Sequence, residues 1–173
     1  MDHRWRPSVT VAAVIERGGR FLMIEEETSE GLRINNAAGH LEPGETPAEG
    51  CAREALEETA WHFRPTHLLG VYISRFQRAT TGEDITYLRF AFTGELGEEE
   101  TGRRLDHGIV RTLWMTPDEL RATADRHRSP LVLRCVEDFL AGVRLPLSAV
   151  YADPSIRGPG EQHHPAGGDG EGQ

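Results

Sequence analysis

Apolar and β-branched positions gather in two short runs near the start of the chain, residues 9–15 and 21–24, separated by Arg17-Gly18-Gly19-Arg20. The pattern predicts paired strands joined by a tight turn. A polar stretch follows, and residues 39–61 are predicted as a loop that runs into a helix. Thr46 suits the N-cap, Pro47 the first helical position, and Glu49 closes a capping box. Further runs at 68–76 and 85–92, split by Thr80-Thr81-Gly82-Glu83-Asp84, predict a second hairpin. A short run, Thr112-Leu113-Trp114-Met115, meets Thr116-Pro117-Asp118-Glu119, which marks another helix start. Leu133, Val136, Phe139 and Leu140 recur at helical spacing and predict a last helix over residues 130–141, with Gly142 as its stop.

The length, 173 residues, suits one domain over 1–150 with a tail over 151–173. From Asp153 onward glycine, proline, histidine and acids dominate, so that stretch is expected to be disordered. No apolar run approaches the roughly 20 residues needed to cross a bilayer, and the first ten residues lack a signal-peptide pattern. A cytoplasmic protein with no membrane partner is expected. The net charge of −9, without any Lys/Arg block, argues against nucleic acid as a partner, because polyanion binding needs clustered cations. A phosphorylated substrate would then need a metal cation. Cys51 and Cys135 form no metal or redox motif and are expected to be reduced packing residues.

The chemistry concentrates in GHLEPGETPAEGCAREALEETAW, residues 39–61. On a helix, Ala48, Cys51, Ala52, Ala55, Leu56 and Thr59 gather on one side, and Glu54, Glu57 and Glu58 almost opposite. Carboxylates on a helix face are usually just solvated. Two features favour a cation here. Glu54 and Glu58, four residues apart, repel each other on a bare helix. Pro43-Gly44 suits a type II turn that folds residues 39–45 back beside the helix, where Gly39 can bring its backbone close. Arg53 can pair with a carboxylate of helix or loop.

This segment resembles the Nudix box: Gly, five residues, Glu, seven residues, then Arg-Glu-apolar-x-Glu-Glu-x-Gly-apolar. Gly39, Glu45, Arg53, Glu54, Ala55, Glu57, Glu58 and Trp61 stand in register. Ala60 replaces the Gly, so it either accepts about 1 kcal/mol of left-handed strain or the helix ends differently. The likeness extends to VTVAAVIERGGRFLMIEEE and LWMTPDEL, covering residues 9–141. Within the family it is similar to the NudJ-type phosphatases through AAGHLE, YLRFAF and SPLVLRCVEDFLAGVRLPL. Ile34 and Ala37 depart from the aromatic and Pro common before the box Gly, so the floor of the pocket is expected to differ.

The resemblance implies an α/β fold, an α/β/α sandwich around a mixed sheet, and hydrolysis of nucleoside di- or triphosphates or of the pyrimidine diphosphate precursor of thiamine. It implies Mg²⁺, with Mn²⁺ as the alternative, held by Glu54, Glu57, Glu58 and the Gly39 carbonyl, since Mg²⁺ takes hard oxygen ligands. Glu54 and Glu57, oriented by Arg53, are the first candidates for the catalytic base, and Glu98, Glu99, Glu100 and Asp106 are loop candidates. Arg33, Arg75, Arg78 and Arg89 are candidate phosphate contacts. Tyr72, Phe76 and Tyr87 are candidates to stack on a base. His40 sits in the loop, where a phosphate contact and a structural role are equal readings, and His163 and His164 fall in the tail. A non-catalytic nucleotide sensor and a cleaner of oxidised purine nucleotides are the alternative readings.

Overall fold

Strand β1 (Ser8–Ala13) lies in the middle of the molecule, and its alternation divides the core in two. A computed structural model describes residues 4–160. β1 runs antiparallel to β4 (Gly31–His40) and parallel to β6 (Asp84–Glu99). Val11 and Ala13 pack with Ile15, Leu22, Phe92, Cys51 and Ala55. Ala12 and Val14 point the other way, to Phe21, Met23, Leu120, Val132, Cys135 and Val136. The first set is covered by helix α1 (Pro47–Thr59) and the second by α2 (Pro117–Ala122) and α3 (Leu131–Leu140). The result is the expected α/β/α sandwich with a mixed sheet.

The remaining strands are β2 (Glu16–Arg17), β3 (Arg20–Thr28), β5 (Trp61–Gln77), β7 (Ile109–Met115) and β8 (Leu145–Pro146). The sheet order is β2-β3-β4-β1-β6-β5-β8, and β7 pairs with β3. The turn at Gly18-Gly19 forms, but it joins β3 to the two-residue β2 and not to β1. The chain changes partners at Val14 and Ile15: Val14 N donates to Phe92 O, and Leu22 N donates to Ile15 O.

Two expectations on strand extent are corrected. The polar stretch before residue 39 is strand β4, with Ile34, Asn35, Asn36 and Ala37 all buried. The second hairpin runs from Trp61 to Glu99, well past the apolar runs at each end. Both predicted capping boxes are present, at Thr46 with Glu49 and at Thr116 with Glu119. Ala60 takes the strained option: it caps α1 at φ 64°, ψ 9°, with its N–H on Leu56 O at 3.0 Å.

The buried arc of α1 also differs from the expected one. It is Gly50, Cys51, Glu54, Ala55, Glu58 and Thr59, whereas Ala52 and Leu56 are only half-buried. The helix is rolled toward its carboxylates, where β4 offers Glu58 the Ala38 N–H. Beyond Asp153, residues Pro154–Gly160 form 3-10 turns that pass the start of α1, and Arg157 Nη2 lies 2.5 Å from Glu49 Oε1. The expected disorder of this stretch is corrected for those residues, and the rest of the tail, with His163 and His164, lies outside the described residues.

Candidate active site

The site is built where the end of β4 meets the carboxylate-bearing side of α1. Gly44, at φ 86°, completes the turn after Pro43, and Glu45 Oε1 accepts from Glu42 N at 2.8 Å. The loop therefore lies beside the helix, with Glu45 facing Arg53. Arg53 Nε and Nη2 donate to Glu45 at 2.9 and 2.8 Å, and Nη1 to Glu54 Oε1 at 2.8 Å and Glu57 Oε2 at 3.0 Å. Nη2 also reaches the His40 carbonyl at 3.1 Å. One guanidinium thus fixes three carboxylates and ties loop to helix. Its hydrogen bonds hold Glu45 below the usual carboxylate range.

Glu54, Glu57 and Asp106 each place a carboxylate oxygen within 4.8 Å of the others. Asp106 comes from the loop after β6 and is set by its N–H on Glu57 O at 3.0 Å. Glu58 stands beside this trio, its Oε2 accepting from Ala38 N at 2.8 Å. Burial pushes the Glu58 carboxyl up to about 9, against that hydrogen bond, and burial also raises Glu54 against the pull of Arg53. A group of oxygen-only donors, clustered although each repels the others, fits a hard divalent cation. Gly39 backs the group so closely that any side chain there would have to displace Glu54.

Next to this cluster a cleft of about 850 Å³ opens, walled by Ala38, Gly39, His40 and Glu58 on the acidic side. Arg33, Arg75, Arg78, Arg89, Tyr87 and Phe76 also line it. Arg75 is paired with Asp84 at 2.6 Å and Arg33 with Glu30 at 3.9 Å, while Arg89 is buried. Tyr72 is not in the cleft: its hydroxyl donates to Asp138 Oδ2 at 2.9 Å beneath α3. Glu98, Glu99 and Glu100 lie outside both cleft and cluster, and Glu100 is engaged with Arg103 and His62.

Sequence reasoning did not single out the wall formed by residues 124–131, nor Glu26 and Asn35 beside it. That wall is pinned by Glu25, whose carboxylate, 3% exposed, takes Arg111 Nε at 2.7 Å and Arg126 Nη2 at 2.6 Å. The hydrogen bond from Arg111, and then that from Arg126, outweighs burial and lowers its pKa. Arg128 N then donates to Ile34 O at 2.8 Å. The only signal in the sequence is the pair Asn35-Asn36 between apolar residues.

The family model of the NUDIX domain matches residues 4–135. Phosphatase NudJ of Escherichia coli (strain K12) is 34% identical over 146 residues, covering 84% of this chain and 92% of that protein. A solved NUDIX hydrolase from Nitrosomonas europaea superposes with a TM-score of 0.78 at 45% identity, over 86% of this chain and 99% of its own. The MutT NUDIX hydrolase from Burkholderia pseudomallei, at TM-score 0.63 and 19% identity over 78% of this chain and 98% of its own, shares the fold. The chain belongs to the NUDIX family. It is a Nudix hydrolase, an enzyme of a class that acts on small phosphorylated substrates. Among the described residues no helix is long and apolar enough to cross a membrane.

Proposed function

We propose that this hydrolase cuts the phosphoanhydride bond of a nucleoside di- or triphosphate, or of a similarly small diphosphate such as a pyrimidine-methanol diphosphate, with Mg²⁺ or Mn²⁺ as its metal. The observation that carries the reading is the cluster of Glu54, Glu57 and Asp106 beside a cleft lined by arginines. Those three carboxylates, with the Gly39 carbonyl and Glu58, would hold the metal. When bound, it supplies charge neutralisation on the phosphates and a more acidic water.

The chain's own residues do the rest. Arg53 keeps Glu54 and Glu57 in one orientation. The Glu57 side chain is 32% exposed against 9% for Glu54, so Glu57 is the one open to water. It takes the proton of the attacking water at Oε1, since Oε2 is occupied by Arg53. Arg33, Arg75 and Arg78 receive the phosphates in the cleft, and the leaving phosphate departs as an anion held by them.

A cleft of this size and an acidic surface suit short phosphate chains over long polyanions. The test is a panel of nucleoside di- and triphosphates, pyrimidine-methanol diphosphate, diadenosine polyphosphates and capped RNA at fixed Mg²⁺, with product analysis. The compact substrates are expected to show the higher kcat/KM, and chelation to abolish turnover. A tenfold preference for the long substrates, or turnover that survives exhaustive chelation, would overturn the proposal.

A further inference from the structure

Arg89 is 6% exposed, lines the cleft and forms no ion pair among the described residues. Its Nη1 donates to Asn36 Oδ1 and its Nη2 to Asn35 Oδ1, each at 3.2 Å. These partners, and the buried Cys135 thiol beside Arg89, are neutral, so they fix the plane of the guanidinium and leave its charge uncancelled. A buried cation in that condition is costly without a further acceptor. On the same wall Asn35 Nδ2 donates to Glu26 Oε1 at 3.3 Å. Glu26 also lines the cleft, with a side chain 18% exposed and Arg128 no nearer than 3.8 Å. One amide therefore separates a donor from a carboxylate acceptor on a single wall.

A phosphate on Arg89 would stand beside the Glu26 carboxylate and be repelled by it. A planar ring that carries an N–H next to a carbonyl or ring nitrogen satisfies both groups at once. Tyr87 and Phe76, in the same cleft, offer aromatic faces to such a ring. We infer that Glu26, Asn35 and Arg89 read the edge of a nucleobase-like heterocycle, Glu26 accepting its N–H and Arg89 donating to its neighbouring acceptor. This reassigns Arg89 from phosphate to ring and leaves the phosphates to Arg33, Arg75, Arg78 and the acidic cluster. The inference rests on the proposed nucleotide-like substrate, and it makes Glu26 a specificity residue.

The test separates ring binding from hydrolysis. Nucleoside monophosphates of the four bases and ribose 5-phosphate are titrated, with Mg²⁺, into the wild type, Glu26→Ala and Glu26→Gln, the last keeping side-chain shape if the alanine variant does not fold. The wild type is expected to bind at least one nucleoside monophosphate tenfold or more tighter than ribose 5-phosphate. Either variant should cut that advantage at least fivefold while ribose 5-phosphate affinity stays within twofold. Two results overturn the inference: no advantage from the base in the wild type, or a variant that tightens ribose 5-phosphate and the nucleotides alike, the signature of Arg89 as a phosphate ligand. If the base advantage is present but no diphosphate is hydrolysed, the proposed function fails and the ring assignment stands.

Discussion

Gly39 has no side chain because Glu54 occupies the space one would fill: a Cβ at Gly39 would lie 2.2 Å from Glu54 Oε1. Gly39→Ala must therefore displace the carboxylate that Arg53 and the neighbouring acids hold in place. The expected outcome is a fall in kcat of about 100-fold, the scale of an ångström-level misplacement at a reacting centre, with the fold retained by circular dichroism. Near wild-type turnover would mean that Glu54 is free to move without consequence.

Glu58 makes stability depend on pH. Its folded carboxyl is raised to about 9 from an ordinary 4.5, chiefly by burial, so between those values the folded chain keeps a proton that the unfolded chain has lost. Stability of the metal-free protein is then fully present below the lower value and falls as pH rises through the window. Glu54, also raised by burial, acts in the same direction. Melting temperature measured in chelator should decline from pH 5 to pH 9 in the wild type and decline less in Glu58→Gln. Equal slopes would sink this account.

Asp106 and the acids at the end of β6 should separate cleanly; Glu98 and Glu99 belong to the strand, not to the loop expected from sequence, and Glu100 directly follows it. Asp106→Asn and Glu57→Gln each remove charge from the three-carboxylate cluster and should lower kcat by about 100-fold or more, within the range for lost acid–base or charge-stabilising groups. Asp106→Asn should also raise the Mg²⁺ concentration needed for half-maximal rate. Glu98→Gln, Glu99→Gln and Glu100→Gln should stay within twofold of wild type. Steady-state kinetics with a metal titration measures all five, and a severe loss in one of the last three would relocate the base.

Truncation tests the end of the chain in two steps. Removing residues 161–173 should leave melting temperature and kcat/KM unchanged. Removing residues 153–173 also deletes the Arg157–Glu49 pair and the backbone of Ile156, which lies near Gly44. An exposed pair is worth roughly 0–1 kcal/mol, so a fall of about 2–4 °C is expected for a domain of this size, with a two- to fivefold loss of kcat/KM through a looser loop. Identical behaviour of the two truncations would show that the 3-10 segment only rests on the surface.

Local signals carried the parts of the fold that could be read from sequence. Thr46, Pro47 and Glu49 are a self-contained instruction to begin a helix, and so are Thr116, Pro117 and Glu119. Strand β4 was illegible because Asn35 and Asn36 are polar but buried, and Arg89, which bonds both of them, lies more than fifty positions away. The segments 61–67 of β5 and 93–99 of β6 were missed because their few apolar residues, Phe63 and Leu96 among them, stand isolated among polar ones, and Pro65 and the register shifts around it break the alternation. In the site, the spacing along α1 showed which acids share a helix. It did not show that α1 would roll Glu54 and Glu58 inward, or that a loop would bring Asp106 to Glu57.

The parity of β1 sets how much change each part of the molecule can absorb. Val11, Ala13 and Ile15 belong to one packed layer, Ala12 and Val14 to the other, and each is at most 1% exposed. Five consecutive positions therefore have no tolerant neighbour, and slipping the strand by one residue would exchange the contents of two interiors that differ in shape. Along β5, exposed Val71 and Ile73 alternate with half-buried Tyr72 and Ser74. A survey of all single substitutions should read as an unbroken block of intolerance over residues 11–15 and as a two-residue rhythm along residues 71–74 of β5, so heritable variation has room on the exposed face of β5 and almost none at the strand inside.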